Sequence, residues 1–263
     1  MKNLPLLPLL LLSLTLCTCD RAPSDTREMD APSVTEPAAE LPTALHSVLA
    51  AHGGLEAWQK QGTLTYDIVN GDKRESQTVD LKDRRELILR EGVKIGYDGE
   101  KSWTVSEEPF EGDPVFYRNL MFYFYAMPWV LADPGIRYED TAPLPHGGVD
   151  YPGLKISYDD GVGLSPKDNY FLHWDPNTKR MRWLGYTVTG RSGEVSDKIS
   201  WIEYPTWTEY SGVALADSLV WYNKENNLPT ERRNARVFEK VEVFEEGFPE
   251  EFYAAPDSAR VWE

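Results

Sequence analysis

Cysteine is scarce in this chain of 263 residues: there are two, at positions 17 and 19. Everything after Cys19 therefore lacks an intrachain disulfide. Long apolar runs are missing as well. The longest apolar run, residues 4–16, is shorter than the roughly 20 residues that a membrane-spanning helix needs. A short apolar stretch preceded by Lys2 is typical of a signal peptide instead.

Basic side chains are outnumbered in this sequence. There are 27 Lys and Arg against 43 Asp and Glu, which gives a formal net charge of −16 at pH 7. This balance argues against nucleic acid as a partner, and against docking on anionic lipid headgroups through the protein surface. The simplest interpretation of the excess acid is a soluble coat on an exported protein.

The usual signatures of an active site are also lacking. No G-x-S-x-G nucleophile elbow, phosphate-binding loop or dinucleotide fingerprint occurs. His52 and Glu56 are four residues apart, but no third metal ligand is evident and no spacing matches a zinc site. No residue is therefore assigned as catalytic, and no metal or cofactor is expected. Abundant carboxylate pairs, and a carbohydrate platform of Trp201, Trp207 and Trp221, keep a hydrolase as an alternative.

Residues 16–19, Leu-Cys-Thr-Cys, indicate which kind of signal peptide is present. A lipoprotein signal has an aliphatic residue at −3 and a small residue at −1 from the lipid-modified cysteine, and Cys19 has Leu16 and Thr18 there. Residues 1–18 are therefore predicted to be a lipoprotein signal peptide and Cys19 the lipidation site. Acyl chains contribute about 0.8 kcal/mol per buried CH₂, so a multiply acylated cysteine is a stable anchor. The alternative is an ordinary secretory signal with two incidental cysteines.

The rest of the chain divides into a tether and one domain. Residues 20–40 contain three prolines, many small or charged residues and no aromatic residue. This composition is typical of a disordered segment, so residues 19–40 are predicted to be the lipidated cysteine and its tether. Residues 41–263 contain no second linker and are predicted to form one domain.

Hydrophobic periodicity predicts helices followed by a mostly β domain. Apolar residues at helical spacing predict a helix over residues 44–61, which Gly53-Gly54 bends or divides in two. From residue 63 the pattern alternates, with tight turns predicted at Asn70-Gly71 and Asp98-Gly99. Further strands are predicted over residues 154–158, 170–174, 181–189, 198–204, 214–222 and 235–244. The expected fold is α+β, with one large antiparallel sheet of about ten or eleven strands, and so many strands should curl.

A second helix is predicted over residues 114–131, which contain seven aromatic side chains and are apolar on nearly every helical face. Pro128 should kink this helix or end its regular part. A helix that is apolar all round is either fully buried or covers an apolar surface. The side chains expected to line an apolar ligand cavity are Phe116, Leu120, Met121, Phe124, Met127 and Trp129. The alternative is that they only fill the core of a curved sheet.

Four stretches in this order resemble the LolA/LolB-like superfamily of envelope lipoprotein carriers, in particular a group of bacterial lipoproteins within it. They are residues 52–58 (HGGLEAW), 96–103 (GYDGEKSW), 168–178 (DNYFLHWDPNT) and 249–261 (PEEFYAAPDSARV). The resemblance implies a half-open β-barrel, a strongly curved antiparallel sheet whose apolar concave face is covered by helices. It also implies lipid acyl chains as the ligand, because characterised carriers of this fold hold acyl chains in that cavity. The sequence has no match to the arginine that controls the lid of the lipoprotein-sorting carrier.

These features lead to one expected function and two alternatives. The chain is expected to be a non-enzymatic lipoprotein of the bacterial cell envelope, anchored at the outer membrane and binding an apolar ligand beneath residues 114–131. One alternative is a structural or interaction lipoprotein with a filled core that docks a protein partner. The other is a hydrolase of an envelope glycan or lipid. The sequence does not identify a protein partner.

Overall fold

The computed structural model describes residues 41–159, 167–189 and 196–262. The predicted signal peptide, Cys19 and the tether lie outside the described residues, so these assignments remain predictions. No helix within the described ranges is long and apolar enough to cross a membrane.

Two short helices open the domain, α1 over Thr43–Ala51 and α2 over Leu55–Lys60. Gly53 and Gly54 separate them with φ angles of +112° and +91°, which residues with a side chain rarely adopt. An added Cβ at Gly53 would lie 2.0 Å from the carbonyl oxygen of Gly212. The division that the sequence predicted at this dipeptide is therefore confirmed, and it brings α1 close to the later strands.

Five strands and a third helix follow. The strands are β1 (Thr63–Asn70), β2 (Lys73–Asp80), β3 (Glu86–Arg90), β4 (Val93–Tyr97) and β5 (Ser102–Ser106). The turns predicted at Asn70-Gly71 and Asp98-Gly99 connect β1 to β2 and β4 to β5. Helix α3 spans Pro114–Tyr125; Asp113 caps it by accepting hydrogen bonds from the backbone N–H groups of Val115 and Phe116.

The predicted helix over residues 114–131 ends earlier than expected. Regular α3 stops at Tyr125, and a 3₁₀ helix over Trp129–Ala132 follows Pro128. Proline lacks a backbone N–H and its ring clashes with the preceding turn, so the α-helix cannot continue through Pro128. The apolar pattern itself does continue to Leu131, which explains why the sequence predicted a longer helix.

The second half of the domain is almost entirely β-structure. Its strands are β6 (Ile136–His146), β7 (Val149–Tyr158), β8 (Tyr170–Trp174), β9 (Met181–Tyr186), β10 (Ser200–Glu203), β11 (Trp207–Tyr210), β12 (Val213–Ala216), β13 (Ser218–Glu225), β14 (Leu228–Phe244) and β15 (Arg260–Trp262). A 3₁₀ helix, Glu250–Phe252, precedes β15.

Thirteen of these strands form one antiparallel sheet in the order β15-β5-β4-β3-β2-β1-β14-β13-β10-β9-β8-β7-β6, and β11 pairs only with β12. The sheet is open, because β15 and β6 are its edges and do not pair with each other. The predicted α+β class with one large antiparallel sheet is confirmed, with 13 strands in place of ten or eleven. One predicted strand, residues 214–222, is in fact two strands in different sheets, separated at Asp217.

Contacts of α3 show how strongly the sheet curves. The Tyr125 ring lies 4.5 Å from the Tyr66 ring of β1, whereas the Tyr123 ring lies 6.1 Å from the Tyr170 ring of β8. Five strand-to-strand steps separate β1 from β8, which is about 24 Å in a flat sheet at 4.8 Å per step. Two side chains from one helical turn contact both strands, so the sheet wraps around α3.

Each face of the sheet carries its own core. The inner face, which carries Tyr66, Tyr170 and Phe238, packs against α1, α2, α3 and the 3₁₀ helix at Trp129–Ala132 to form the main core. The outer face carries a smaller cluster composed of Leu144, Trp183, Trp201, Val220 and Tyr222. A ligand site associated with α3 therefore lies on the inner face.

Candidate functional site

The C-terminal part of the predicted cavity segment, residues 122–132, is packed into the main core. Tyr125 is fully buried and stacks on Phe238 with ring centroids 3.7 Å apart. Phe124 lies 5.1 Å from the Tyr186 ring, and Met127 is fully buried. These side chains fill the space between the helix and the middle of the sheet.

Trp129 belongs to the same packed region. Its ring stacks on Trp58 of α2 at a centroid distance of 5.4 Å and an interplanar angle of 6°, and only 1 % of the residue is exposed. Of the six predicted ligand-lining residues, Phe124, Met127 and Trp129 therefore lie in the main core. Whether they also contact a ligand remains a prediction.

The N-terminal half of α3, residues 114–121, is held differently. Phe116 is 49 % exposed, and Leu120 and Met121 are half-buried. Leu120 and Met121 pack at the margin of the main core, and two polar bonds tie this half to the sheet: the Tyr117 hydroxyl donates to Glu75, and Arg118 Nε donates to Ser102 Oγ at 3.0 Å. Water can replace such bonds at little net cost, whereas it cannot replace buried aromatic packing. This half of α3 is therefore the part more readily displaced.

A buried polar cluster lies on the inner face beneath this half of α3, and sequence reasoning missed it. Glu75, Gln77 and Glu86 are all buried. Gln77 Nε2 donates to Glu75 Oε1 at 2.6 Å, and the Tyr66 hydroxyl donates to the Gln77 side-chain oxygen. The only available signal is the alternation of β2, which puts Glu75 and Gln77 at positions where a half-buried strand usually carries apolar residues.

Burial raises the pKa of the Glu86 carboxyl well above its ordinary value of 4.5. The positive charge of Arg118 opposes this effect, and the negative charge of Glu75 adds to it. Glu86 Oε1 has no hydrogen-bond partner among the described residues. An ionised carboxylate without full hydrogen bonding is unfavourable in such a place, so burial favours the protonated form of Glu86.

Substituting Glu86→Gln is expected to stabilise the protein at about pH 8, with the gain decreasing as the pH is lowered toward the ordinary pKa of a glutamate. An acid whose pKa is raised in the folded state binds more protons folded than unfolded, so stability falls as pH rises above the ordinary value of 4.5. Glutamine removes this loss. Urea unfolding at both pH values measures the effect, with Glu100→Gln in an exposed turn as the control. Equal stability of the variant and the parent at pH 8 would contradict a raised pKa of Glu86.

A cavity of about 570 Å³ opens beside the N-terminal half of α3. Ile68, Val93, Tyr117 and Met121 supply its apolar and aromatic wall, and charged side chains from the ends of β1–β4 and from β14 form its rim. This volume lies within the range of about 300–1,000 Å³ that is typical of small-molecule sites. Met121 is thus a predicted ligand-lining residue that lies in the wall of this cavity.

Another cavity, of about 500 Å³, has Met181, Tyr204 and Trp207 in its lining. Trp207 stacks on Tyr204 with centroids 5.6 Å apart. Trp201 is buried on the outer face, and Trp221 lies on the inner face 6.2 Å from Phe124. The three tryptophans considered for a carbohydrate platform therefore do not share one surface.

Two of the four histidines, His52 and His173, are buried. His52 is buried, with Nδ1 2.8 Å from the Val48 carbonyl oxygen, and burial lowers its pKa to about 4. His173 is buried on the outer face, where desolvation likewise lowers its pKa to about 4. Across residues 41–159, 167–189 and 196–262, no three His, Cys, Asp or Glu side chains group so that they could hold a metal ion.

No protein-family model matches the sequence, and no curated protein matches it. Solved structures are similar at low identity. A DUF1329 family protein from Desulfovibrio piger is 10% identical, with 80% of this chain and 95% of that chain covered at a TM-score of 0.47. A LolA superfamily protein from Nitrosomonas europaea is 9% identical, with coverages of 76% and 96% and a TM-score of 0.44. The chain is structurally similar to LolA superfamily and DUF1329 proteins, and the likeness is one of fold.

Proposed function

We propose that this chain is a bacterial envelope lipoprotein, anchored through Cys19, that binds an apolar ligand such as lipid acyl chains on the inner face of its sheet. The observation that carries the proposal is the 570 Å³ cavity beside Met121 and Tyr117. It lies under a half-exposed helix whose side chains are apolar on nearly every face. A helix of this kind buries its surface only if a ligand or another apolar surface covers it.

Ligand entry would be a reversible exchange of contacts. The N-terminal half of α3 moves away from the sheet, and the bonds from Tyr117 to Glu75 and from Arg118 to Ser102 pass to water. The apolar chain then occupies the space against Ile68, Val93 and Met121. Burial of apolar surface contributes roughly 25 cal/mol per Å², which offsets the loss of a few polar bonds.

The six predicted residues take two roles in this proposal. Phe116, Leu120 and Met121 contact the ligand directly, because they are exposed or half-buried on the mobile half of α3. Phe124, Met127 and Trp129 form the fixed end of the site, and a ligand contacts them only after it displaces core packing. The proposal includes no chemical reaction.

Native mass spectrometry of the full chain carrying Cys19→Ser tests the proposal, because this variant lacks the thiol that would itself carry acyl groups. After gentle purification from a bacterium, we expect an added mass that is released as lipid on denaturation. A bare polypeptide mass that stays unchanged after incubation with an envelope lipid extract would contradict ligand binding.

Cys19→Ser itself is expected to move the chain from the membrane fraction to the soluble fraction. The physical reason is the loss of all acyl anchoring, since a serine hydroxyl does not receive the thioether-linked lipid. Fractionation of cells that express either chain measures the change, with Cys17→Ser as the matched control. Membrane association that survives Cys19→Ser, or that is lost with Cys17→Ser instead, would overturn the assignment of the anchor.

A second candidate function is an interaction lipoprotein with a filled core. Full burial of Tyr125 and Met127 favours it, because this part of the inner face has no room for a ligand in the present conformation. It predicts a bare mass in the spectrum and a protein partner that crosslinks at the envelope. A hydrolase is less well supported, because Glu86 is buried and Glu75 is the one inner-face carboxylate of this pair that lines the cavity.

A further inference from the structure

The rim of the cavity beside α3 contains both signs of charge, but the two signs are not equally available. Its cations are Lys73, Arg74, Arg90 and Arg236, and its acids are Asp72, Glu75 and Glu91. Four of the seven are therefore basic, in a chain where acids outnumber bases by 43 to 27. A charged side chain of the rim is available to a ligand only if it is not already in an ion pair within the protein.

Three of the cations make no ion pair with any described residue. Arg74 is fully engaged, because its guanidinium lies 2.7 Å from both Asp67 and Glu239. Arg90 instead lies over aromatic rings, 4.8 Å from the Tyr117 centroid and 5.3 Å from that of Phe110. Aromatic faces position a guanidinium without neutralising its charge.

Arg236 and Lys73 complete the unpaired set. Arg236 lies 5.9 Å from the Trp221 centroid and donates to the Ala235 carbonyl oxygen at 3.0 Å, so its charge is not neutralised. Lys73 is exposed at the start of β2, on the same face as Glu75. These three cations come from β2, β3 and β14 and meet only because the sheet brings those strand ends together.

The acids of the rim offset these cations only in part. Glu75 lies opposite Arg90 in the register of β2 and β3, and its side chain also accepts hydrogen bonds from Tyr117 and Gln77. Asp72 and Glu91 are exposed in the turns that follow β1 and β3, where water solvates them. Arg90 and Arg236 are the two half-buried charged residues of the rim, and Arg236 lies opposite Leu219 of β13 rather than opposite an acid.

We infer that the ligand is a lipid with an anionic headgroup, an inference that rests on the proposed function. The chain lies against Ile68, Val93 and Met121, and the headgroup lies between Arg90, Arg236 and Lys73. A guanidinium presents paired N–H donors that match the oxygens of a phosphate or carboxylate. The excess of negative charge elsewhere is screened beyond about 8–10 Å, so it disfavours docking on an anionic membrane without preventing local capture of one lipid.

Lipid uptake by the full Cys19→Ser chain tests this inference. The chain is incubated with neutral phosphatidylcholine vesicles that contain either dioleoyl phosphatidic acid or dioleoylglycerol, and the lipid that stays with the protein after flotation is quantified. These two lipids share their acyl chains and differ by the phosphate. We expect about tenfold or greater preference for phosphatidic acid, decreasing as salt is added.

Variants that remove positive charge test whether the preference for phosphatidic acid arises at the cavity rim. The double variant Lys73→Gln/Arg236→Gln is expected to lower phosphatidic acid uptake about tenfold, because two of the three headgroup contacts are lost. Arg90 is left in place, since it also packs on Tyr117. The matched control is Lys94→Gln/Lys101→Gln, which removes two exposed cations outside the cavity lining in the same half of the sheet. This control is expected to take up phosphatidic acid as the parent chain does.

Three outcomes would overturn the inference. Equal uptake of both lipids, unchanged in the rim variant, would reject the headgroup site and leave acyl binding intact. Competition by glycerol 3-phosphate, which has no acyl chains, would assign the rim to a soluble phosphate compound. Failure to take up either lipid would reject the headgroup site and the proposed function together.

Discussion

Replacing Trp129 with alanine is expected to lower the free energy of unfolding by about 3–5 kcal/mol. The indole is 1 % exposed, stacks on Trp58 of α2 and contacts the His52 ring edge-on at 6.2 Å. Removing it leaves a cavity between α2 and the turn after α3 that rigid neighbours cannot fill. Urea unfolding of the full Cys19→Ser chain measures the loss.

Phe116→Ala is the matched control, because it truncates an aromatic residue of the same segment that is 49 % exposed. It is expected to change stability by no more than about 0.5 kcal/mol. If both variants cost the same small amount, residues 122–132 would not be fixed core, and the whole of 114–132 would have to be treated as mobile.

Met121→Asp is expected to weaken binding of a fluorescent fatty acid by about tenfold or more while changing stability little. Met121 is half-buried in the cavity wall, and a carboxylate placed against an acyl chain loses its hydration without gaining a partner. The unfolding cost stays small, because in the ligand-free protein the new carboxylate faces a solvated cavity. Titration by fluorescence measures affinity, and urea unfolding measures stability.

Leu89→Asp is the control for this change. Leu89 is 42 % exposed and lies on the outer face of β3, so the same apolar-to-acid change occurs away from α3. It is expected to bind the fatty acid as the parent chain does. Equal weakening in both variants would point to a general charge effect, and no weakening in either would remove Met121 from the site.

Local patterns in the sequence were sufficient to predict the fold class. Alternating apolar residues and the dipeptides Asn70-Gly71 and Asp98-Gly99 act within one hairpin, and the structure confirms both turns. Gly53-Gly54 divided the first helix for an equally local reason, the positive φ angles that glycine tolerates. Such features depend on a few neighbouring residues and can be read without tertiary information.

Strands β6 and β15 were not predicted from the sequence, because they depend on tertiary context. Pro143 and Pro145 lie within β6 and argue against a strand, yet β6 is an edge of the sheet. A proline there loses no ladder hydrogen bond if its missing N–H would have faced outward. Strand β15 has three residues and is recognisable only through its pairing with β5.

The site was only partly predictable, for two physical reasons. Residues 114–131 are apolar on nearly every face, so periodicity cannot distinguish exposed Phe116 from buried Trp129. The net charge of −16 gave no indication of the cations at the cavity rim. Lys73, Arg90 and Arg236 are far apart in sequence and come together only in the folded sheet. A total charge describes the average surface and carries no information about one cavity mouth.

The two halves of residues 114–132 suggest how this domain can be stable and still open locally. Stacking of Tyr125 on Phe238 keeps one half in place, whereas polar bonds to Glu75 and Ser102 hold the other. Elements that move for binding are drawn from the less stable parts of a fold. Local opening of residues 114–121 would expose the cavity wall without unfolding the sheet.

Photo-crosslinking of a fatty acid that carries a diazirine at the end of its chain tests the central claim most directly. The full Cys19→Ser chain is irradiated with the bound probe, digested, and the labelled residues are identified by mass spectrometry. We predict labels on the cavity wall, at Ile68, Val93, Tyr117 or Met121, with labelling suppressed by Met121→Asp. Labels confined to the outer face around Leu89, or none above the level of a denatured control, would contradict an acyl site beneath α3.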